Sequence, residues 1–326
     1  MKISELKVND MCEITLVVKS ATARETKSNK PYLTLELFDG EDIIMCNYWD
    51  WSSGNIPAVN TILDVTARVT EWQGVKQLNI KAMKNNTTRH LADFMPSSGH
   101  DLSDIYKDAY TLLSGVNDDT LRSLSLGLLT ELNHKWLTIP GAKGVHHAYT
   151  GGTLVHSLSV ARIAKAIAEN IPEANIDLCI VGGMLHDIGK LYTYYTNGIS
   201  IDVTDDGKLY DHIFMGAEFI GNYAEEYLDC GDDFVNRKVQ LLRHIILSHH
   251  GKLEYGSPVT PKCIEALIVN HADDIDASVE QIRCAAKKVP ENLKWTDKIY
   301  FLNNSHQLTP SYVDYVMNSN SEEMVN

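Results

Sequence analysis

The first ninety residues alternate apolar and polar positions in short runs, a pattern typical of half-buried β-strands. Turn-forming pairs such as Asp39-Gly40 and Gln73-Gly74 separate the runs. Five short strands in so few residues predict a small closed barrel, and the OB-fold is the commonest barrel of this size. The predicted strands are residues 13–18, 31–38, 42–49, 61–69 and 77–83.

From Leu102 onward, apolar residues recur with the spacing of an amphipathic helix. Further helices are predicted at 118–137, 152–170, 176–189, 212–228, 234–249, 260–272 and 278–288, with a hairpin around 198–209. The predicted fold is therefore multidomain, a small all-β OB-fold barrel followed by an all-α domain. We expect the barrel at 1–88, a turn-rich linker at 89–102, the helical domain at 103–302, and a polar tail at 303–326 that could form one short helix.

The helical half contains histidines and aspartates inside apolar helical flanks. His186-Asp187 follows a long apolar run, and a buried imidazole beside a carboxylate needs partners or a neutralising charge. Alone, this pair fits a satisfied core histidine next to a capping aspartate. The pair is not alone, because similar stations lie before and after it. Their order predicts a site for a divalent metal, which accepts both nitrogen and oxygen ligands. The other stations are His156, His212, His249-His250 and Asp273.

These motifs resemble the HD-domain metal-dependent phosphohydrolases, and within them the YhaM-type 3'–5' exoribonucleases. The likeness covers most of the chain except the tail, and the stretch 30–35 looks like the OB module of that type. The segments that carry the resemblance are His146-His147-Ala148-Tyr149 with Gly151-Gly152, His186-Asp187-Ile188-Gly189-Lys190, residues 242–251, Gly256-Ser257-Pro258, and residues 272–277.

The resemblance implies a ligand set for two ions. His156, His186, Asp187 and Asp273 would hold the first metal. A second oxygen of Asp187 would reach another ion, which His212 and His249 would hold. The alternative is a single metal around which these two extra histidines contact substrate. Mn is the first expectation for the cation, and Fe, Mg, Ni, Zn and Co are alternatives.

Four residues are the predicted catalytic group: Asp187, Lys190, His147 and His250. In similar enzymes Lys190 contacts phosphate, although a solvated lysine at a helix end is the simpler alternative. His147 is predicted to contact phosphate or the leaving group, or else to lie on a surface loop. His250 is a further ligand or a phosphate contact. The chain has Asp211-His212 where the family usually has Gly-His, so the approach to substrate is expected to differ there.

Net charge limits how this chain could bind nucleic acid. The charge is −14, and residues 1–90 contain 11 basic and 11 acidic side chains, so the helical half carries the whole excess. This argues against a broad basic surface. Small barrels instead bind single strands by stacking bases on aromatic rings beside cations. We predict Tyr32, Trp51, Trp72 and Lys30 for this role. Phe38, Tyr48 and Trp49 are further candidates, and about half of the rings are expected in the barrel core.

The leading function is a metal-dependent phosphodiesterase, a 3'–5' exonuclease on single-stranded RNA or DNA that releases nucleoside 5'-monophosphates. One alternative is hydrolysis of a cyclic or short oligonucleotide or a nucleotide second messenger. Another is a non-enzymatic nucleic-acid-binding protein with a structural metal. No P-loop motif, transmembrane run or signal-peptide core is found, and six cysteines lack CxxC spacing, so we expect a reduced cytoplasmic protein without membrane contact. The family implies a homo-oligomer.

Overall fold

The computed structural model describes residues 1–52, 54–95, 99, 101–143, 147–290 and 293–318. Two compact units divide the chain: Met1–Pro96 with Thr196–Ser200, and Ser97–Tyr195 with Ile201–Asn326. Three features named from the sequence lie outside the described residues: His146, the linker residues 96–98 and 100, and residues 319–326 of the tail.

The first unit is a closed five-stranded barrel in the order β1-β2-β3-β5-β4, in which β4 pairs back with β1. All pairs are antiparallel except β3 with β5. The pairing of β3 with β5 that closes the barrel is short and spans residues 45–47 and 77–79. This topology confirms the predicted OB-like barrel. The strands are β1 Met11–Glu25, β2 Pro31–Phe38, β3 Ile43–Tyr48, β4 Ile62–Trp72 and β5 Val75–Asn85.

Alternation along the strands directs one set of side chains into the barrel. Leu16, Leu33, Leu35 and Leu78 are fully buried there. Strand β1 runs seven residues further than predicted, because a bulge at Val18/Ser20 lets it continue along β2 after pairing with β4.

The second unit is helical, with one short hairpin. Most of the longer helices begin at a side-chain cap, for example Asp101, Asp118 and Asp232, whose carboxylates accept from backbone N–H groups of the first turn. The elements are α1 Leu102–Ser114, α2 Asp119–Glu131, α3 Asn133–Thr138, α4 Gly152–Ala168, α5 Ile176–Leu185, α6 Lys190–Thr193, β6 Tyr194–Asn197, β7 Ser200–Val203, α7 Asp205–Tyr227, α8 Asp233–Ser248, α9 Ile264–Ala286 and α10 Pro310–Asn318.

Four boundaries differ from the prediction. Helix α9 is continuous where two helices were predicted, because the acids that interrupt its apolar pattern lie within a regular helix. Helix α5 ends at Leu185, four residues early, and residues 118–137 form two helices. The hairpin spans Tyr194–Val203, since Thr204 caps α7 and makes the following residues helical.

Helix α5 is the central element of the helical core. All its residues from Leu178 to Leu185 are buried, and it packs against α4, α8 and α9. Gly183 allows the closest approach, because a Cβ there would lie 2.7 Å from the Ala161 Cα in α4. The end of α5 is thereby held beside α4. Among the described residues, no helix is long and apolar enough to cross a membrane. All six cysteines are free thiols.

Candidate metal centre

Five helices bring the predicted metal ligands together. His186 and Asp187 directly follow the last residue of α5. The angle of about 100° that separates adjacent side chains inside a helix is therefore not imposed on this pair. His156 lies one turn into α4, and Asp273 lies within α9. Helix α7 is broken at Asp211, just before His212, and His249 directly follows α8.

The first ligand group comprises His156, His186, Asp187 and Asp273. The Nε2 atom of His156 lies 3.1 Å from Asp273 Oδ1 and 3.4 Å from Asp187 Oδ2. The Nε2 atom of His186 lies 3.3 Å from the same Asp187 oxygen and 3.2 Å from His156 Nε2. The ligand atoms of His156, His186 and Asp187 all lie within 4.8 Å of one another, and Asp273 adjoins this cluster through His156 and His186. A single cation could be held among them.

The second ligand group comprises Asp187, His212, His249 and His250. Its carboxylate atom is the other oxygen of Asp187, Oδ1, which lies 3.4 Å from His212 Nε2 and 3.6 Å from His249 Nε2. The ring of His250 lies 4.4 Å, centroid to centroid, from that of His249. Each oxygen of Asp187 therefore faces a different pair of histidines, which is the arrangement of a bridging carboxylate.

Backbone carbonyls fix the tautomer of three histidines. The Nδ1 atoms of His186, His249 and His250 lie 2.8, 2.7 and 2.8 Å from the carbonyl oxygens of Gly183, Ile246 and Tyr255. A carbonyl only accepts hydrogen bonds, so the proton of each neutral ring is on Nδ1. The Nε2 lone pair of each ring is then available for a metal.

Carboxylates take the same position behind the other two histidines. Asp276 Oδ2 accepts from His156 Nδ1 at 2.7 Å, and Asp211 Oδ1 accepts from His212 Nδ1 at 2.6 Å. Asp276 also contacts His147 Nε2 at 2.8 Å and accepts from the Ser159 hydroxyl. A carboxylate partner raises the basicity of a ligand imidazole.

The charges of the pocket depend on one another. Burial acts to raise the pKa of Asp187, but the positive charge of Lys190 and the neighbouring imidazoles hold it well below its ordinary value. Burial likewise acts to lower the pKa of His156, but hydrogen bonds to Asp187, Asp273 and Asp276 raise it well above the ordinary value. In the absence of a cation, a proton on His156 therefore neutralises part of this acidic pocket.

Buried atoms without partners show that a cation suits this pocket. Within the described residues, Asp187 Oδ1, His212 Nε2 and His249 Nε2 are buried and make no hydrogen bond. Leaving such atoms unsatisfied costs free energy, and natural proteins rarely do so without a reason. All three atoms converge within the second ligand group, and a divalent cation would satisfy them together. The mixed imidazole and carboxylate set suits Mn, Fe, Co, Ni or Zn.

The remaining predicted catalytic residues line this pocket in different ways. Lys190 is buried with Nζ 2.7 Å from Asp187 Oδ2. Burial lowers the pKa of His250, so its ring is neutral near pH 7. His147 is buried behind His156, and both ring nitrogens are engaged, Nε2 by Asp276 and Nδ1 by the Tyr149 hydroxyl at 2.6 Å. Its contact with phosphate stays a prediction, and the geometry gives it a place in the hydrogen-bond network behind His156.

Three supporting residues were missed or left undecided at the sequence level: Asp276, Tyr149 and Ser159. The spacing of Asp276 was a usable signal, because it follows Asp273 by three residues on one helix and so shares its face. Tyr149 stands in a segment that carries the family resemblance, but that resemblance assigned it no role, and nothing in the flanks of Ser159 distinguishes it from other helix residues.

The residues predicted to bind nucleic acid differ in their environments on the barrel. Tyr32 stacks on Trp49 with ring centroids 4.4 Å apart, and Lys30 lies 3.9 Å from Asp50. Trp72 is exposed near the β4–β5 turn. Trp51 is half-buried against the barrel core. Phe38 is a buried ring, as expected for part of the set.

Comparisons with known proteins agree with this architecture. The HD domain family matches residues 153–278. The 3'-5' exoribonuclease YhaM of Geobacillus sp. (strain WCH70) is 29% identical over 315 residues, which are 95% of each chain. A replication protein A domain of Methanococcus maripaludis is 23% identical over 26% of this chain and 92% of its own, with a TM-score of 0.24. The HD domain of the L. monocytogenes phosphodiesterase PgpH is 24% identical over 51% of this chain and 76% of its own, with a TM-score of 0.31. The resemblance predicted from the sequence is confirmed.

Proposed function

We propose that this chain is a 3'–5' exonuclease on single-stranded RNA that releases nucleoside 5'-monophosphates. The match of its residues 153–278 to the HD domain family supports hydrolysis that depends on a metal. One observation carries the metal-dependent part of the proposal. Asp187 Oδ2 faces the Nε2 atom of His186, and Asp187 Oδ1 faces the Nε2 atom of His212, and each of these rings donates from Nδ1. Asp187 Oδ1, His212 Nε2 and His249 Nε2 are buried and make no hydrogen bond within the described residues.

Two features support a nucleic-acid substrate. The relative named as a 3'-5' exoribonuclease matches across 95% of both chains, so the likeness includes the barrel as well as the HD domain. The barrel also carries the stacked pair Tyr32 and Trp49 with Lys30 and Lys81 close by, both within 4.0 Å of Asp50. Stacked aromatic rings beside cations suit single strands of any sequence.

In this proposal the first ligand group would hold one cation, and the second ligand group would hold another. Divalent cations held there would lower the pKa of water and offset the charge of phosphoryl oxygens. The chain itself contributes orientation and charge. Asp187 belongs to both ligand groups, and Lys190 places a positive charge beside the Asp187 carboxylate. His250 is neutral near pH 7 and donates its ring proton to the Tyr255 carbonyl, so its other ring nitrogen is an acceptor suited to a metal or to taking up a proton.

The test is a degradation assay with protein that has been stripped of metal and resupplied with Mn²⁺. A 5'-labelled single-stranded RNA and a matched DNA are incubated with the enzyme, and products are resolved on a gel. We expect a ladder that shortens from the 3' end of the RNA, absent in Asp273→Asn. The matched control is Asp274→Asn, which changes an exposed carboxylate on the same helix. Full activity of Asp273→Asn, or cleavage that persists in chelator, would refute the proposal.

A second candidate is hydrolysis of a cyclic or short nucleotide, favoured by the acidic balance of the helical half. Trp49→Ala separates the two candidates because this ring lies on the barrel. If long RNA is the substrate, the variant should degrade it several-fold more slowly, as loss of one stacking ring costs about 1–3 kcal/mol. If a cyclic dinucleotide is the substrate, its turnover should be unchanged, and wild-type protein should leave long RNA intact.

A further inference from the structure

Asp211 has an unusual backbone conformation inside α7. Its φ and ψ are 61° and 161°, where helical values precede and follow it. This region of backbone space is essentially reserved for glycine, because a Cβ is strained there. Such a conformation persists in a side-chain-bearing residue only when its surroundings demand it.

One oxygen of Asp211 holds its neighbour His212 in two ways. Oδ1 accepts from the backbone N–H of His212 at 2.6 Å and from its ring Nδ1 at 2.6 Å. The ring proton is thus drawn to Nδ1, and Nε2 is left facing Asp187 Oδ1 at 3.4 Å. This Nε2 is one of the buried atoms that make no hydrogen bond within the described residues.

The backbone of His212 is itself tightly placed. A Cβ on Gly189 would lie 1.9 Å from the His212 carbonyl oxygen, so the two backbones are in close contact. This contact ties His212 to the segment that carries His186 and Asp187. The fixed backbone leaves the rotation and the tautomer of the His212 ring undetermined. The hydrogen bond from Nδ1 to Asp211 determines both.

We propose that Asp211 is a positioning residue for the cation of the second ligand group, and that it holds the His212 ring in the metal-binding tautomer at the expense of a strained backbone. The other histidines of this group have backbone carbonyls behind them, whereas His212 has a carboxylate. A carboxylate makes the imidazole a stronger ligand. The inference rests on the proposed metal-dependent function.

The test measures both metal affinity and stability. If Asp211 is a positioning residue, its loss should lower the affinity for metal without lowering the stability of the metal-free protein. Asp211→Gly removes the carboxylate and relieves the backbone. We expect the affinity of the second ligand group for Mn²⁺ to fall about 10–100-fold, while the unfolding temperature of the metal-free protein stays equal or rises. Asp211→Asn keeps an accepting oxygen without the charge, and its Mn²⁺ affinity should lie between those of wild type and Asp211→Gly. Binding is measured from the signal of free Mn²⁺ in electron paramagnetic resonance, without any turnover.

A matched control is Gln73→Gly, which relieves another positive φ, of 51°, in the barrel. It should leave metal binding unchanged. Wild-type affinity in Asp211→Gly would overturn the inference, and so would a loss of affinity that merely follows a lower unfolding temperature. A wild-type protein that binds no Mn²⁺ would instead refute the proposed function, so the two failures are distinguishable.

Discussion

Replacing Lys190 with methionine separates the contribution of its charge from that of its apolar stem. Lys190 Nζ lies 2.7 Å from Asp187 Oδ2, and the side chains are 9% and 2% exposed. In metal-free protein this lysine is a direct counter-ion of the carboxylate. Methionine fills a similar volume but leaves the negative charge of Asp187 with imidazoles alone.

The expected loss of stability is large because the pair is buried. Removing one partner of a buried ion pair costs about 3–5 kcal/mol, since the remaining charge is left uncompensated. For a unit of this size the corresponding fall in unfolding temperature is on the order of 10 °C. A bound cation would replace the missing charge. Wild type is also stabilised by the metal, so the gap narrows only because the variant binds the metal more tightly. Stabilisation grows as RT ln(1 + [metal]/Kd), and a Kd about 100-fold lower would add about 2.7 kcal/mol to the variant and offset most of the loss.

The measurement is thermal unfolding of the helical unit by circular dichroism, with chelator and with Mn²⁺. Lys190→Met should be much less stable than wild type in chelator and nearly equal to it in Mn²⁺, and it should bind the metal more tightly because no lysine competes for Asp187. The control is Lys165→Met, which breaks an exposed pair with Glu169 and should cost under about 1 kcal/mol in both buffers. Equal stability of wild type and Lys190→Met in chelator would refute the reasoning.

Three further predictions concern the same site. Gly189→Ala should destabilise the helical unit by at least about 2 kcal/mol in urea, because a Cβ 1.9 Å from the His212 carbonyl oxygen outweighs the gain of up to about 1 kcal/mol from the lower entropy of the unfolded chain. The control is Gly115→Ala, whose Cβ meets nothing closer than 3.4 Å, and equal stabilities of the two variants would contradict this prediction. The raised pKa of His156 gives the metal-free protein a stabilisation that is fully present below pH 6.5 and is lost as pH rises through the raised value. Because the metal must displace that proton, Mn²⁺ affinity measured by calorimetry should increase as pH rises from 6.5 toward the raised pKa, and a flat profile over that range would count against the prediction. Asp276→Asn should weaken Mn²⁺ binding about 10–100-fold by loosening His156, and unchanged binding in a calorimetric titration would argue against this support.

The barrel was predictable because its signals are local. Each period-two run became a strand, and Gln73-Gly74 adopted the positive φ angles of a tight hairpin turn. The length of β1 was not predictable, because its continuation depends on pairing with a strand distant in sequence. The stacking of Tyr32 on Trp49 was missed for the same reason, since it follows from the register that pairs Leu33 with Tyr48.

The candidate site was predictable in its ligand types but not in its support. The order of histidines and aspartates along the chain, with the family resemblance, indicated which residues gather. The partners of their Nδ1 atoms are mostly backbone carbonyls, which leave no trace in residue identity. The prediction that α9 is divided into two helices was wrong. Asp273 and Asp276 interrupt the apolar pattern because they face the site, and the helix continues through them.

The bonds behind His186 and His249 also finish two helices. Each ring caps the C-terminus it follows, His186 on α5 and His249 on α8, by donating from Nδ1 to the carbonyl three residues back. The C-terminal end of a helix carries about half a negative charge. Two such ends therefore point their partial charges toward the place where cations would bind. Inserting one residue before either histidine would turn it by about 100° around its helix and uncap that end at once. The lengths of α5 and α8 are thus part of the coordination geometry.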